Sequence, residues 1–438
     1  MLAWDQRQAV QIGQNIRNRR KELGKSQTYL ADGLLSVQSV SLIERGKLKV
    51  TPETLAVFAE RLACEVDDLL IMHNLHDDWL EDMLQDAIRH KDRQQDGKAI
   101  ELLHTLYTES LMKSNTHYLL QSAFHLCLLY NKTAKYAISN EWGIESLRYL
   151  DQDKHLEQLM SVYVTIGNNY YVLGNMWQAY DLLSEAEKLI DHRLKYSLQA
   201  GKIYYSMAIL KQIQKNWEGC LWYSERALQV FDEHNVTIHI GRTLMMMGTA
   251  FKNQERYDKA LLHLERSIRI LSQTSDIASL GRCYHNLGEL ELKMDLPDKA
   301  RKSFARSLRI KRQANDLGSI TNTLRGLAKI AMQSGDYVEA EQYLQECWEQ
   351  SEQLESDLQR AITRRTLGDL SLARGDVGEF LNQYTLAIET FERLGFSTEL
   401  AESAEKLGDY YLQHGDTKRA AAHLQTATRH YRKLLERT

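Results

Sequence analysis

Proline is almost missing from this sequence: 438 residues contain two, Pro52 and Pro297. Proline breaks helix interiors, so its scarcity leaves long helices unopposed. Glycine is also sparse, at 23 residues. No apolar run approaches the roughly 18 residues of a membrane span. A soluble, ordered and mainly helical protein is expected. Nor is there an excess of one charge, since 55 Lys and Arg stand against 59 Asp and Glu, a net of −4. That excludes a wholly basic nucleic-acid coat and an acidic tail, and confines any nucleic-acid contact to a local patch. The five cysteines, Cys64, Cys127, Cys220, Cys283 and Cys347, stand far apart, without the close pairs that build zinc or redox sites. They read as reduced, buried small residues. The opening MLAWDQRQAV has no basic patch followed by an apolar core, so no secretory signal is expected and the compartment reads as the cytoplasm. No Gly-rich phosphate loop and no Ser, His and Asp grouping stands out, so neither an enzyme nor a cofactor is expected. His73, His76, Asp77 and Asp78 have the chemistry of metal ligands, but histidines three apart at a polar helix start are ordinarily solvated, and no metal is expected.

What the sequence does contain is a period. Gly or Ala recurs at Gly167, Ala208, Gly248, Gly288, Ala328, Gly368 and Gly408, with spacings of 41, 40, 40, 40, 40 and 40. Twelve residues after each stands a second small residue, at Ala179, Cys220, Ala260, Ala300, Ala340 and Ala420, with Phe380 breaking the rule. Seven further on stands a third, at Ala186, Ala227, Ser267, Ser307, Cys347, Ala387 and Ala427. Small residues at such points let two antiparallel helices approach closely. Between first and second positions, Gly174-Asn175, Gly335-Asp336, Gly375-Asp376 and Gly415-Asp416 supply a C-cap and then an N-cap. Leu296-Pro297 takes their place in one unit, with proline at the first helical position. Asp96-Gly97-Lys98-Ala99 and Thr133-Ala134-Lys135-Tyr136-Ala137 mark two less faithful units upstream. The pattern resembles the tetratricopeptide repeat, lengthened by about six residues over its usual 34, and it predicts about nine helical pairs with one concave face.

Residues 9–70 lack the period. Ile12, Ile16, Leu23, Leu30, Ala31, Val40, Ile43, Leu55, Phe58 and Leu62, with Gly24 and Gly46 as breaks, predict five short helices around one small core. Ser26 is expected to cap the second helix, Ser36 to cap the third, and Gly46 to end the third. Residues 1–51 carry nine Lys and Arg against four Asp and Glu, a local net of +5. The order of elements resembles the Xre-type helix-turn-helix of phage repressors. That resemblance implies that Gln27 and Thr28 anchor the start of helix 2 on a phosphate, with Arg17 and Lys47 among the basic contacts. It puts Ser36, Val37, Gln38, Ser39 and Ser41 at the cap and on the exposed side of a recognition helix, buries Val40 and Ile43, and pairs Arg20 with Glu44. The connection Gly33-Leu34-Leu35-Ser36 departs from the pattern, being a residue shorter and without a central glycine.

One Xre-like domain (1–72), a linker or first array helix (73–95) and a tetratricopeptide array (96–438) resemble the RRNPP regulators of Gram-positive bacteria, and the NprR- and PlcR-like members in particular. The resemblance implies an all-α protein, a five-helix reader followed by a right-handed superhelix. It implies a cytoplasmic transcription factor, a homodimer or higher oligomer, that binds double-stranded operator DNA and senses a short signalling peptide in its groove, as in quorum sensing. No cofactor or membrane partner follows from it. Some members instead sequester or dephosphorylate a response regulator. On that alternative the acidic helix with Asp77, Asp78, Glu81, Asp82, Gln85 and Asp86 is the contact, and Gln85 positions a hydrolytic water.

The groove lining follows from geometry alone, because positions −6, −3, +1 and +4 around each Gly/Ala anchor share one stripe of the first helix. It gives Asn168 and Tyr171, then Lys202, Tyr205 and Gln212, Arg242, Met245 and Lys252, Arg282, His285 and Glu289, and Asn322, Arg325 and Lys329, with Arg365, Asp369, Glu402, Glu405 and Asp409 beyond. The lining is basic in its middle and acidic at its far end. Asn168, Asn253 and Asn322 are candidates to clamp a peptide backbone, since an amide bonds both C=O and N–H. Arg242, Arg282 and Arg325 recur on one face and are expected to converge as like charges that call for an anion.

Overall fold

The computed structural model describes residues 6–70, 75–190 and 194–435. Among them there is no strand, and no helix is long and apolar enough to cross a membrane. The chain divides into two compact units, Met1–Gln158 and Leu159–Thr438.

The first unit begins with the five predicted short helices, α1 (Gln6–Glu22), α2 (Gln27–Ala31), α3 (Val37–Glu44), α4 (Pro52–Arg61) and α5 (Val66–Leu70). Ile12, Ile16, Leu30, Val40, Ile43, Leu55, Phe58 and Leu62 form their core. Leu23 is left out of it, 37% exposed just beyond α1. Ser26 Oγ accepts from the Tyr29 N–H at 3.2 Å and Ser36 Oγ from the Ser39 N–H at 3.0 Å, so both predicted caps form. Gly46 ends α3 with φ +67, and a Cβ there would fall 2.5 Å from Val10; backbone and space both require glycine. Four further helices follow in this unit as two antiparallel pairs, α6 (Leu75–Asp92) with α7 (Asp96–Met112) and α8 (Thr116–Lys132) with α9 (Tyr136–Leu147).

The second unit continues the pairing with α10 (Leu156–Val172) and α11 (Met176–Lys188), α12 (Leu198–Ile213) and α13 (Trp217–Glu233), α14 (Thr237–Asn253) and α15 (Tyr257–Leu271), α16 (Ile277–Lys293) and α17 (Pro297–Gln313). It ends with α18 (Leu317–Gln333) and α19 (Tyr337–Gln353), α20 (Asp357–Arg374) and α21 (Val377–Leu394), α22 (Ser397–Gln413) and α23 (Thr417–Leu435). The Gly anchors are where the two helices of a pair meet: a Cβ on Gly248 would lie 2.6 Å from Leu264, and one on Gly288 2.9 Å from Phe304. The third small position does more than avoid a clash. Ser267 Oγ donates to the Gly241 carbonyl at 2.7 Å and Ser307 Oγ to the Gly281 carbonyl at 2.7 Å, while Cys347 Sγ lies 3.6 Å from the Thr321 carbonyl. Each bond joins the second helix of a pair to the first. Phe380 is fully buried, packed on the Tyr384 and Tyr410 rings at 4.9 and 5.0 Å.

The turns follow the sequence reading. Gly174, Gly335, Gly375 and Gly415 all have positive φ, Asp336, Asp376 and Asp416 cap the helices that follow, and Pro297 opens α17; the exception is Asn175, whose side chain makes no cap bond to α11. Where glycine is missing, Lys215, Glu255 and Asp295 adopt the same left-handed conformation. Neighbouring pairs are joined by unit-specific ion pairs, as in Arg301 with Glu339 at 2.7 Å and Arg312 with Glu346 at 2.5 Å. All five cysteines are free, and all but Cys64 are buried.

Candidate functional site

On the small N-terminal domain, α3 presents Ser36, Val37 and Gln38 to solvent, with Ser39 and Ser41 half-buried beside them. Arg17, Thr28, Lys47 and Lys49 are exposed. The helix is fixed from behind. Arg20 Nε donates to Glu44 Oε1 at 2.5 Å and its Nη2 to Oε2 at 3.0 Å, while Nη1 reaches the Lys25 carbonyl at 2.7 Å. Burial pushes the Glu44 carboxyl up, but the hydrogen bonds from Arg20 and Gln27 and the Arg20 charge outweigh it and hold the pKa below the ordinary value. Arg61 donates to the carbonyls of Leu30 and Asp32, each at 2.7 Å, closing the end of α2; with Gly33 at φ +65 this shapes the short connection to α3. Two expected contacts are otherwise engaged. Gln27 Nε2 donates to Glu44 Oε2 at 2.7 Å, so its amide is turned toward the core and away from a phosphate, and Ser41 Oγ accepts from Arg45 at 2.6 Å.

In the second unit, the first helices α14, α16, α18 and α20 line a cavity of about 590 Å³, within the range of ligand pockets. It brings together Lys252, Asn253, His285, Glu289, Asn322, Arg325, Lys329, Arg365 and Asp369, all named from the sequence, and adds Lys293. A polar chain runs across its floor. Lys252 Nζ bonds Glu289 Oε2, Glu289 Oε1 lies 3.4 Å from His285 Nε2, and His285 Nδ1 is 3.3 Å from the Thr323 hydroxyl. Thr323 Oγ1 in turn accepts from Lys311 Nζ at 2.8 Å. A carboxylate only accepts, so Nε2 carries the His285 proton and Nδ1 accepts from Thr323. Burial lowers the His285 pKa and keeps the ring neutral at physiological pH. For Glu289 burial acts upward, but the His285 hydrogen bond and the Lys252 charge prevail and hold the carboxyl well below its usual range. Burial, aided by the Arg282 and Arg325 charges and opposed by those of Asp316 and Glu289, brings Lys311, 1% exposed, down to about 8.

The rest of the expected stripe lies outside this cavity. Asn168 and Tyr171 are half-buried on α10. Tyr205 and Met245 pack against the hydrophobic core between pairs. The expected convergence of three uncompensated arginines is corrected: Arg242 Nε donates to Asp276 Oδ2 at 2.6 Å and is neutralised by it, and Arg282 bonds Ser279 at 2.8 Å. Two of the asparagine amides are partly engaged, Asn322 Oδ1 by Arg325 and Asn253 Nδ2 by the Thr249 carbonyl. Lys293 escaped the sequence reading because it stands one position beyond the predicted stripe. Among the described residues no group of three or more His, Cys, Asp or Glu is arranged to hold a metal; His73 and the side chains of His76, Asp77 and Asp78 fall outside those residues.

The helix-turn-helix family matches residues 16–69, and the tetratricopeptide repeat family matches residues 239–313. No curated protein matches the sequence significantly. Among solved structures, a Rap protein complexed with Competence and Sporulation Factor is 15% identical, with a TM-score of 0.62 over 82% of this chain and 99% of its own. Aspartyl phosphate phosphatase F from Bacillus subtilis is 14% identical, TM-score 0.54, over 80% of this chain and 94% of its own. The Rap conjugation gene regulator of plasmid pLS20, in complex with the Phr* peptide, is 11% identical, TM-score 0.52, over 82% and 96%. At such identities the likeness is one of fold. Together with the two family matches it supports a helix-turn-helix followed by tetratricopeptide-like repeats.

Proposed function

We propose that this chain is a cytoplasmic transcriptional regulator that reads operator DNA through α3 and senses a short signalling peptide in the groove formed by α14, α16, α18 and α20. The observation that carries the DNA half is the outward face of α3, polar, uncovered by the rest of its domain, and held rigid by the buried Arg20 and Glu44 pair. Exposed Arg17, Lys47 and Lys49 supply phosphate contacts around it. The peptide half is supported by a groove lined with amide and charged groups, and by a fold neighbour solved in complex with the Phr* peptide. Reading a two-fold operator requires two copies, so the active form is a homodimer. Footprinting on the promoters flanking its gene tests the reading: protected half-sites at low salt, altered by peptide, are expected, and absence of any protected DNA rejects it.

A second reading is favoured by the fold shared with an aspartyl phosphate phosphatase and by Gln85, exposed on α6. On it, the helices α6–α9 act on a phosphorylated response regulator. The Gln85 amide is bonded to Glu81 at 2.8 Å and would have to exchange that bond for a water. Loss of the phosphoryl group from a response regulator on addition of the protein, abolished in Gln85→Ala, separates this reading from the first.

A further inference from the structure

The groove holds more positive charge than its own carboxylates neutralise, and the surplus is central. Five cations line it, Lys252, Lys293, Arg325, Lys329 and Arg365, against two acids, Glu289 and Asp369. Two of the cations are matched, Lys252 by Glu289 and Arg365 by Glu402 at 3.1 Å. Arg325 is not. It is 8% exposed, yet among the described residues its guanidinium bonds neutral groups alone: Asn322 Oδ1, Gln359 Oε1 at 3.1 Å and the Cys347 sulfur at 3.6 Å. A charge withdrawn from water is ordinarily matched by an opposite one, so a buried cation held by dipoles alone is an incomplete site. Lys329 stands one turn further along α18, exposed, and Lys293 comes from α16; neither forms an ion pair with the described residues. Asp369 forms no ion pair with these cations among the described residues; its Oδ1 accepts from the Tyr384 hydroxyl at 2.7 Å.

We propose that the centre of the groove is a carboxylate seat, formed by Arg325 and Lys329, which selects peptides that bring a carboxylate to it. This rests on the peptide reading of the groove and names the chemistry that reading leaves open. A guanidinium matches a carboxylate in shape and forms charge-assisted bonds with it, and Lys329 adds a mobile point charge at the mouth. The carboxylate is either a peptide C-terminus or an Asp or Glu side chain.

Titration calorimetry of the full-length protein with four synthetic heptapeptide pools tests the seat and separates the two sources. The pools have free or amidated C-termini, each with or without Asp and Glu. The amidated pool lacking Asp and Glu is expected to bind at least tenfold more weakly than the pool carrying both kinds of carboxylate. Whichever single-carboxylate pool retains affinity identifies the source. Arg325→Gln tests the buried half, and Lys329→Glu, at an exposed position that folding does not depend on, keeps the test decisive if the first variant misfolds. Lys329→Glu is expected to weaken the carboxylate pools about tenfold or more and to leave the neutral pool unchanged. Equal binding of all four pools, or an unaltered Lys329→Glu, overturns the seat and leaves the peptide reading standing. Binding by none of the pools overturns both.

Discussion

Arg20 and Glu44 are buried together in the N-terminal core, with the Glu44 side chain 2% exposed, and removing either charge leaves the other unpaired. Glu44→Gln, which keeps the shape and loses the charge, is expected to lower the local stability of α3 by about 3–5 kcal/mol, read as faster hydrogen exchange of its amides. Because the folded pKa of Glu44 lies below its unfolded value, the stabilisation is complete above the ordinary carboxylate range and is lost as pH falls through the folded pKa. The variant's exchange rates should lack that acid dependence. Lys311 gives a slope of the same sign in a higher pH window, because its folded pKa is lowered as well. Burial lowers its pKa to about 8 from 10.5, so between those values the folded chain has shed a proton that the unfolded chain keeps, and stability rises with pH there, by up to about 1.4 kcal/mol per unit. The wild type should gain on Lys311→Met in thermal unfolding from pH 8 to 10; a gap that does not change with pH refutes this. On α3, Gln38→Ala is expected to cost roughly 1–3 kcal/mol of discrimination at one base pair, whereas Lys47→Ala should weaken all sequences alike and reduce the salt slope by about one, both measured by binding titrations. The ion pair and both serine caps were readable in the sequence because a motif fixes their spacing. The turn of Gln27 toward Glu44 was not, since a glutamine at a helix start reaches a phosphate or a neighbouring carboxylate equally well.

Helix pairing is decided by a few small residues, and the anchor glycines test it. A methyl group on Gly248 would sit 2.6 Å from the Leu264 side chain, so Gly248→Ala is expected to destabilise the array by about 1–3 kcal/mol. Leu264→Ala alone leaves a cavity costing about 2–5 kcal/mol. The double variant should be clearly more stable than the sum of the two losses, because each change relieves the other; strict additivity in urea unfolding would mean that the helices do not meet there. The 40-residue spacing of the anchors was legible without any structure. The bonds of Ser267, Ser307 and Cys347 to carbonyls of the preceding helix were not. A reading that classes Ala, Ser and Cys together as small cannot know which of them faces a carbonyl until the register of the pair is set.

Within the second unit each helical pair packs on the next in chain order, so a ligand that contacts α14, α16, α18 and α20 at once couples units that otherwise communicate in series. At a hundredfold excess over its Kd a bound peptide contributes about 2.7 kcal/mol. Hydrogen exchange should slow in those helices and remain nearly unchanged in α22 and α23; uniform slowing along the array would argue against a groove of this extent. The position of the groove was partly legible, since the stripe around each anchor named much of its lining. Its charge balance was not, because Asp276, which neutralises Arg242, and Glu402, which pairs with Arg365, belong to the following units. The backbone period is common to all units, but the pairs Arg242 with Asp276, Lys252 with Glu289, Arg301 with Glu339 and Arg365 with Glu402 each join one particular unit to the next. The side chains therefore act as addresses. A unit duplicated or transplanted elsewhere in the order keeps its own two helices and loses its partner, so the repeats share a shape without being interchangeable.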